Sequence, residues 1–377
     1  MKILITASGG GHFSPALSVI EELPKDIEYL FVGRKYSLEG DEAVSLEYQT
    51  AKELGFPFRA ISAGRLQRVV TKHTVPSLLK FPIGIIQALT VLNEYKPDVV
   101  VSFGGYVSVP VVFAASLLRI PIVIHEQTLE GGLANKISSF FAQKICISWE
   151  SSWKFFPKKK IVFTGNPVRK EILETKHLSL SLKNKNYPTI YITGGSLGSH
   201  QINKFVEGCI QNLLKSYIVI HQTGDAKEFD DFNRLSKLRE SFNSELKKKY
   251  FLKKFVRPDE VGLLLKEADL IVSRSGMSTV TELLYMEKPC LLIPLPVSQN
   301  NEQEKNALFL KDVGIAEILH QNKATSQDFF EKISLVMKEL KKYHPRHSQD
   351  LYIRKDAAER IIQVIQTVYF QKKDDTK

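Results

Sequence analysis

Cysteine is scarce in this chain: Cys146, Cys209 and Cys290 are the only three in 377 residues, far apart and never spaced as Cys-x-x-Cys. An odd count without that spacing supports neither a disulfide framework nor a zinc knuckle, and it suits a reducing compartment. Long apolar runs are also missing. The most apolar stretch, residues 109–124, is broken by Arg119 and two prolines, short of the ~20 apolar residues that a membrane-spanning helix needs. The run at 3–6 is too short for a signal peptide and leads straight into glycines. No Asp-x-Asp follows an apolar run, so the sequence carries no metal-binding signature and no metal is expected. Carboxylates, finally, are absent from residues 54–93, although Arg59, Arg65, Arg68, Lys72 and Lys80 lie there.

What is present is an ordinary globular composition, 43% hydrophobic and 25% charged, with 52 Lys and Arg against 41 Asp and Glu and a net charge of +11. Disorder is excluded, and the length favours two domains. The positive surplus suits nucleic acid, an anionic membrane surface or a phosphorylated substrate.

Short β-branched runs alternate with amphipathic segments. They fall at residues 2–6, 29–32, 99–102, 122–125 and 144–147, then again at 189–193, 218–222, 270–272 and 290–293. Apolar runs of four or five between helical patterns predict parallel strands covered on both faces. Two places read as equivalent starts, each a strand entering a glycine-rich turn and then a helix: Ala7-Ser8-Gly9-Gly10-Gly11-His12 and Thr193-Gly194-Gly195-Ser196-Leu197-Gly198. The expected fold is therefore α/β, two Rossmann-like doubly wound domains facing a cleft, with ligands at the carboxyl ends of the strands. The expected boundaries give residues 1–166 to an N-terminal domain and 167–349 to a C-terminal one, with a helix in 350–377 returning to the first.

Glycines after a strand let backbone N–H groups approach a phosphate, or serve only tight turns. A dinucleotide fingerprint fits poorly: the spacing is wrong, and the second strand ends in Gly33-Arg34 rather than an acid, leaving only an opening for NADP. In the segment 273–282, Arg274, Ser278 and Thr279 begin a helix whose dipole favours an anion, and Glu282 one turn on suits a ribose diol. Thr279-x-x-Glu282 equally fits a capping box.

The motifs taken in order resemble the MurG family of glycosyltransferases. They are Gly10-Gly11-His12, Phe103-Gly104-Gly105-Tyr106, His125-Glu126-Gln127, Gly131-Gly132-Leu133-Ala134-Asn135 and Gly165-Asn166-Pro167-Val168-Arg169. Gly194-Gly195-Ser196, Arg274-Ser275-Gly276 with Thr279 and Glu282, and Gln303 with Asn306 follow. The resemblance implies a B-type glycosyltransferase fold and inverting transfer of N-acetylglucosamine from UDP to the muramic acid hydroxyl of lipid I, with no cofactor beyond the UDP-sugar. It implies Ser196, Gly195, Ser278, Thr279 and Arg274 on the donor diphosphate, Glu282 on the ribose, Phe255 and Val256 at the uracil, and Gln303 and Asn306 on the sugar. Gly10, Gly11, Tyr106, Asn135 and Arg169 fall to the acceptor. An inverting step needs a base. His12, at the turn opening the first helix, is the candidate, against the alternative of a polar group satisfying the helix start. His125 and Glu126 form a second constellation.

The chain departs from the family pattern in four places: Ala7-Ser8-Gly9 in the first loop, Thr128, Leu197 and Glu302. In the carboxylate-free stretch, apolar residues including Leu79 and Phe81 interleave with Arg65, Arg68, Lys72 and Lys80. That pattern describes an interfacial surface or, equally, a buried helix face with solvated cations. The family resemblance implies the first, with peripheral attachment to the cytoplasmic membrane face and other cell-wall synthesis proteins as partners. Nucleic acid fits less well, since the stretch has few aromatics for stacking. A lipid acceptor of another kind, such as a diacylglycerol, and an NADP-dependent reductase are the competing expectations.

Overall fold

The β-branched runs become strands of two parallel sheets. The computed structural model describes residues 1–36, 44–64, 74–173, 186–195, 198–224, 228–346 and 353–375. It divides into one unit of Met1–Arg169 with Arg354–Lys377 and a second of Lys170–Ile353. Arg65, Arg68, Lys72, Ser196 and Leu197 lie outside the described residues, as do the side chains of Leu79 and Lys80.

In the first unit, β1 (Lys2–Ala7), β2 (Glu28–Gly33), β3 (Phe58–Ala60), β4 (Val99–Gly104), β5 (Ile122–Glu126), β6 (Lys144–Ile147) and β7 (Ile161–Phe163) pair in the order 3-2-1-4-5-6-7, all parallel. Side chains alternate across the pleat. Leu4, Val100, Ile124 and Ile145 pack on one face with Ala88 and Leu92 of helix Thr74–Tyr95 and Val111 and Ala115 of helix Ser108–Leu117. Ile3, Ile5, Val101 and Val123 pack on the other with Phe13 and Val19 of helix Gly10–Glu21 and Ile361 and Ile365 of helix Ala357–Asp375. The C-terminal helix is thus part of this core: Ile361 and Ile365 are fully buried, each worth ~1.5–3 kcal/mol.

In the second unit, β8 (Thr189–Thr193), β9 (Ile218–Gln222), β10 (Tyr250–Lys253), β11 (Leu270–Ser273), β12 (Cys290–Leu292) and β13 (Ala316–Ile318) form a parallel sheet in the order 10-9-8-11-12-13. Ile190, Ile192, Val219 and Val272 meet helices His200–Ser216 and Ser326–Lys338, where Phe205 stacks on Phe329 at 5.6 Å. All three cysteines are buried.

Four strands, β3, β7, β10 and β13, are not signalled by the apolar runs. They are the four sheet edges, three or four residues long and only partly buried. An edge strand covers less apolar surface, so its sequence alternates less clearly.

The order of each sheet sets a switch point, where adjacent strands send their chains to opposite sides and leave room above their carboxyl ends. In the first unit it lies between β1 and β4, in the second between β8 and β11. At the first, Ser8 N–H donates to Gly104 O at 3.2 Å and the Ser8 hydroxyl accepts from Val107 N–H at 3.3 Å. Gly105, at φ +86°, lets Ser8 lie against it; a Cβ there would strike the Ser8 backbone and hydroxyl oxygens. We expect Gly105→Ala to lower stability by more than ~2 kcal/mol, from the left-handed backbone and the clash together. Chemical unfolding measures this, and a midpoint matching the parent would refute the tight crossing.

Candidate active site

At the β1–β4 switch point, helix Gly10–Glu21 begins behind Gly9, which adopts φ 88° and supplies no side-chain cap. His12 is therefore in the first turn, and its ring turns away from its own helix. Nδ1 lies 2.9 Å from Phe103 O at the end of β4 and 3.4 Å from the Gln127 amide nitrogen. A carbonyl only accepts, so Nδ1 carries the proton and Nε2 presents a lone pair. Burial holds the His12 pKa below its ordinary 6.5, against the raising influence of Glu126, the Phe103 carbonyl and Glu47. The ring is thus neutral near pH 7, the state a base requires.

His125 and Glu126, both close enough to act electrostatically on this ring, are fully buried. His125 Nε2 is 3.0 Å from Ser148 Oγ and 3.3 Å from Gly165 O, and burial drives its pKa down to about 4. Both Glu126 oxygens are occupied. Oε1 accepts from Thr128 N–H at 2.9 Å and the Thr128 hydroxyl at 2.7 Å, Oε2 from Gly132 N–H at 2.8 Å and Asn135 Nδ2 at 3.1 Å. The carboxylate ties strand β5 to the start of helix Leu133–Ser138, where a negative charge is favoured. Thr128, which departs from the family pattern, points inward at this carboxylate. Asn135 is buried as well, its amide nitrogen also donating to His125 O at 2.9 Å.

Gly10 and Gly11 are exposed, whereas Tyr106 and Arg169 are half-buried. The Arg34 guanidinium lies 5.9 Å from the Tyr106 ring, and Arg34 Nε donates at 2.9 Å to the buried Glu47, whose same oxygen accepts from Gly9 N–H at 3.3 Å. The opening that Arg34 left for a 2′-phosphate is thereby taken by an internal carboxylate. Neither Glu47 nor Gln127 was singled out by the sequence, because the first acts from a helix remote in the chain and the second was visible only as the third residue of a motif.

At the β8–β11 switch point the helix His200–Ser216 is capped by Ser199, whose hydroxyl accepts from Ile202 N–H at 3.4 Å. The same oxygen accepts from Arg274 Nη2 at 2.6 Å, joining the loop after β11 to the loop after β8. Arg274 Nη1 donates to Ile293 O at 2.9 Å and Gln321 Oε1 at 2.6 Å. No carboxylate pairs with Arg274 among the described residues, and burial lowers its pKa to about 10, leaving it charged. Helix Met277–Tyr285 starts beside it with Gly276 at the N-cap and no side-chain cap. The capping-box alternative required Thr279 at that position; Thr279 is instead the third helical residue. The Ser278 hydroxyl is buried without a partner in this same turn, and Glu282 is buried one turn on.

Gln303 and Asn306 brace the loop from behind. Asn306, fully buried, donates to Ser275 O at 3.0 Å, the Ser275 hydroxyl donates to Gln303 O at 2.7 Å, and Gln303 Oε1 accepts from Leu295 N–H at 3.0 Å. Glu302 is the first residue of helix Glu302–Val313, a favourable place for an acid. Gly195, at φ +87°, is exposed. Phe255 is 55% exposed beyond β10, with Val256 half-buried beside it, an accessible aromatic face at the carboxyl end of the sheet. Among the described residues no group of three or more His, Cys, Asp or Glu side chains is placed to hold a metal ion.

Residues 3–147 match the glycosyltransferase family 28 N-terminal domain and residues 189–361 the family 28 C-terminal domain. The chain is 35% identical over 348 residues to a UDP-N-acetylglucosamine--N-acetylmuramyl-(pentapeptide) pyrophosphoryl-undecaprenol N-acetylglucosamine transferase of Halalkalibacterium halodurans, covering 89% of this chain and 91% of that one. A protein of the same description from Bacillus cytotoxicus is 33% identical, with 89% and 90% covered. Among solved structures, Acinetobacter baumannii MurG superposes with a TM-score of 0.69 at 23% identity, over 97% of this chain and 100% of that one. A UDP-GlcNAc 2-epimerase from Neisseria meningitidis, bound to UDP-GlcNAc, gives 0.67 at 15% identity, again over 97% and 100%. Those structures share the fold; the identity to the transferases is what separates the two activities.

The buried histidines set an acid limit. Both His125, at about 4, and His221, lowered to about 3 by burial, stay neutral in the fold below the ordinary 6.5. Unfolding then takes up a proton at each. Stability is unaffected above pH 6.5 and falls by ~1.4 kcal/mol per pH unit per histidine as pH drops from there towards 4. Urea midpoints between pH 7.5 and 4.5 should trace this fall, and His125→Gln should flatten part of it; a level parent profile would contradict the buried neutral rings.

Proposed function

The chain belongs to the MurG family of glycosyltransferase family 28, and we propose that it transfers N-acetylglucosamine from UDP-N-acetylglucosamine to the muramic acid 4-hydroxyl of lipid I, forming lipid II. The observation that carries this reading is a pair of complementary switch-point sites. One presents a neutral imidazole with its Nε2 lone pair outward. The other presents a guanidinium that no described carboxylate neutralises, beside an uncapped helix start.

The second site suits the donor. Arg274, the N–H groups of Met277, Ser278 and Thr279, and the unpartnered Ser278 hydroxyl take the diphosphate, with Gly195 and Ser196 on the same group and Glu282 on the ribose. Phe255 and Val256 flank the uracil. Gln303 and Asn306 act on the donor by fixing the Ser275 turn, and Gln303 also reaches the sugar. The first site suits the acceptor, with Gly10, Gly11, Tyr106, Asn135 and Arg169 around His12. The acceptor hydroxyl attacks C1 of the sugar as its bond to the diphosphate oxygen breaks, so the anomeric centre inverts and UDP leaves. The hydroxyl proton passes to His12 Nε2, and the charge gathering on the departing diphosphate is met by Arg274 and the helix dipole. His125 and Glu126 hold the loop that supports this base.

The test is transfer of radiolabel from UDP-N-acetylglucosamine to a lipid I analogue, with diacylglycerol as a competing acceptor and the C2 epimer of the donor sought among the products. We expect label on the lipid I analogue alone. His12→Gln should cut kcat by ~10²-fold or more with donor affinity unchanged. Label on diacylglycerol, or formation of the epimer without transfer, would replace the reading.

Peripheral attachment to the cytoplasmic face of the membrane follows from a lipid-linked acceptor. No helix among the described residues is long and apolar enough to cross a membrane. In helix Thr74–Tyr95, Ile83 and Ile86 are 48% and 64% exposed and share one side, with Phe81 half-buried near them. They continue the apolar and basic stretch begun by Arg65, Arg68, Lys72, Leu79 and Lys80, with no carboxylate before Glu94. Replacing both isoleucines with serine should weaken partitioning onto phosphatidylglycerol vesicles about tenfold; undiminished sedimentation with vesicles would place the contact elsewhere.

A further inference from the structure

His12 is held by two groups, neither of which the sequence identifies as its partner. The Phe103 carbonyl at 2.9 Å fixes the Nδ1 proton. The second is the Gln127 side chain, whose amide nitrogen is 3.4 Å from the same Nδ1 while its carbonyl oxygen is buried with no partner. Two donors facing each other beside an orphaned acceptor is an unfavourable arrangement. A half turn of the amide about its last torsion relieves the donor–donor contact and gives the buried acceptor a partner, because Oε1 then faces Nδ1–H. The backbone needs no change for this. Gln127 O is anchored by Trp149 Nε1–H at 2.8 Å, and Gly11 leaves room for the amide.

We propose that Gln127 is a positioning residue for the transfer: with Phe103 O it forms a two-acceptor cradle for Nδ1–H that keeps the His12 ring in the tautomer whose Nε2 is unprotonated. A single carbonyl leaves the ring able to rotate about its Cβ–Cγ bond or to exchange tautomers, and either motion takes the lone pair from the acceptor hydroxyl. The charged and titratable groups that act on the ring are Glu126, Glu47, which Arg34 neutralises, and His125. Gln127 adds an acceptor without adding charge, which keeps the ring neutral at the pH of the reaction.

The kinetic part of this inference rests on His12 as the base; the tautomer part does not. Nitrogen NMR of the full chain labelled at histidine reads the tautomer directly, with His12→Gln to assign the signal. The parent should show the proton on Nδ1. Gln127→Met, similar in shape but with no strong acceptor, should populate the Nε2–H form and lower kcat about tenfold with KM for both substrates within twofold. Gln127→Glu restores an acceptor. Its negative charge stabilises the imidazolium and raises the His12 pKa, so kcat should recover at pH 8.5 with the acidic limb displaced upward by about one pH unit. A mere packing role would not produce that displacement. A parent ring protonated on Nε2, or a Gln127→Met protein with parental tautomer and parental kcat, would overturn the inference. A changed tautomer with unchanged kcat would uphold the cradle and remove His12 as the base.

Discussion

Parallel strands that part company at their carboxyl ends impose the constraint on which both sites depend. Where β1 meets β4, and where β8 meets β11, the two chains leave for opposite sides of the sheet, and the space above them has to be closed by loops rather than by a helix. Each pair of loops is then stitched by a short hydrogen bond between side chain and backbone, or between side chains. In the first unit His12 reaches Phe103 O; in the second Arg274 reaches Ser199. These contacts fix loop geometry, and they also put a neutral imidazole and a guanidinium that no described carboxylate neutralises at the carboxyl ends of the strands.

The two units treat buried charge in opposite ways. Glu126 surrounds its carboxylate with four donors, two of them backbone N–H groups, so that the charge is fully spent inside the protein. Such a group is costly to remove and has no lone pair to offer a substrate. Among the described residues Arg274 donates only to neutral acceptors, the oxygens of Ser199, Ile293, Pro294 and Gln321. Neutral acceptors orient a guanidinium without cancelling its charge, so that charge stays available to an anion. The same logic separates the two histidines of the first unit: His125 is enclosed and neutral because water is excluded, whereas His12, only partly buried, has one nitrogen held and the other available.

The central strands were legible in the sequence because burial on both faces forces continuous apolar runs, as in residues 99–102 and 270–272. The edge strands were not, since Phe58–Ala60 and Ala316–Ile318 need only three residues and one covered side. Motif residues showed which loops matter but not which way their side chains turn. Asn306 looked like a sugar ligand and is fully buried against Ser275 O; Thr279 looked like a cap and lies inside the helix. Gln321, Glu47 and Gln127 had little or no local signal. Their roles arise only when folding brings Glu47 to Gly9, Gln127 to His12 and Gln321 to Arg274.

Fold alone leaves the chemistry undecided, since a MurG and a UDP-GlcNAc 2-epimerase superpose on this chain almost equally well, with TM-scores of 0.69 and 0.67. What an epimerase and a transferase share is a nucleotide-sugar site, and in the proposed reading the β8–β11 loops with Arg274 supply it. What a transferase requires in addition is a second substrate whose hydroxyl must lose a proton as it attacks. In the proposed reading the β1–β4 loops meet that requirement with a neutral imidazole whose Nδ1 lies 2.9 Å from a main-chain carbonyl. A ring so fixed serves poorly as a phosphate ligand, because a neutral imidazole offers an anion no charge, and its remaining nitrogen accepts rather than donates. The electrostatics of His12 therefore argue for proton removal in the first unit, and those of Arg274 for anion stabilisation in the second, which is the division of labour that glycosyl transfer with inversion demands.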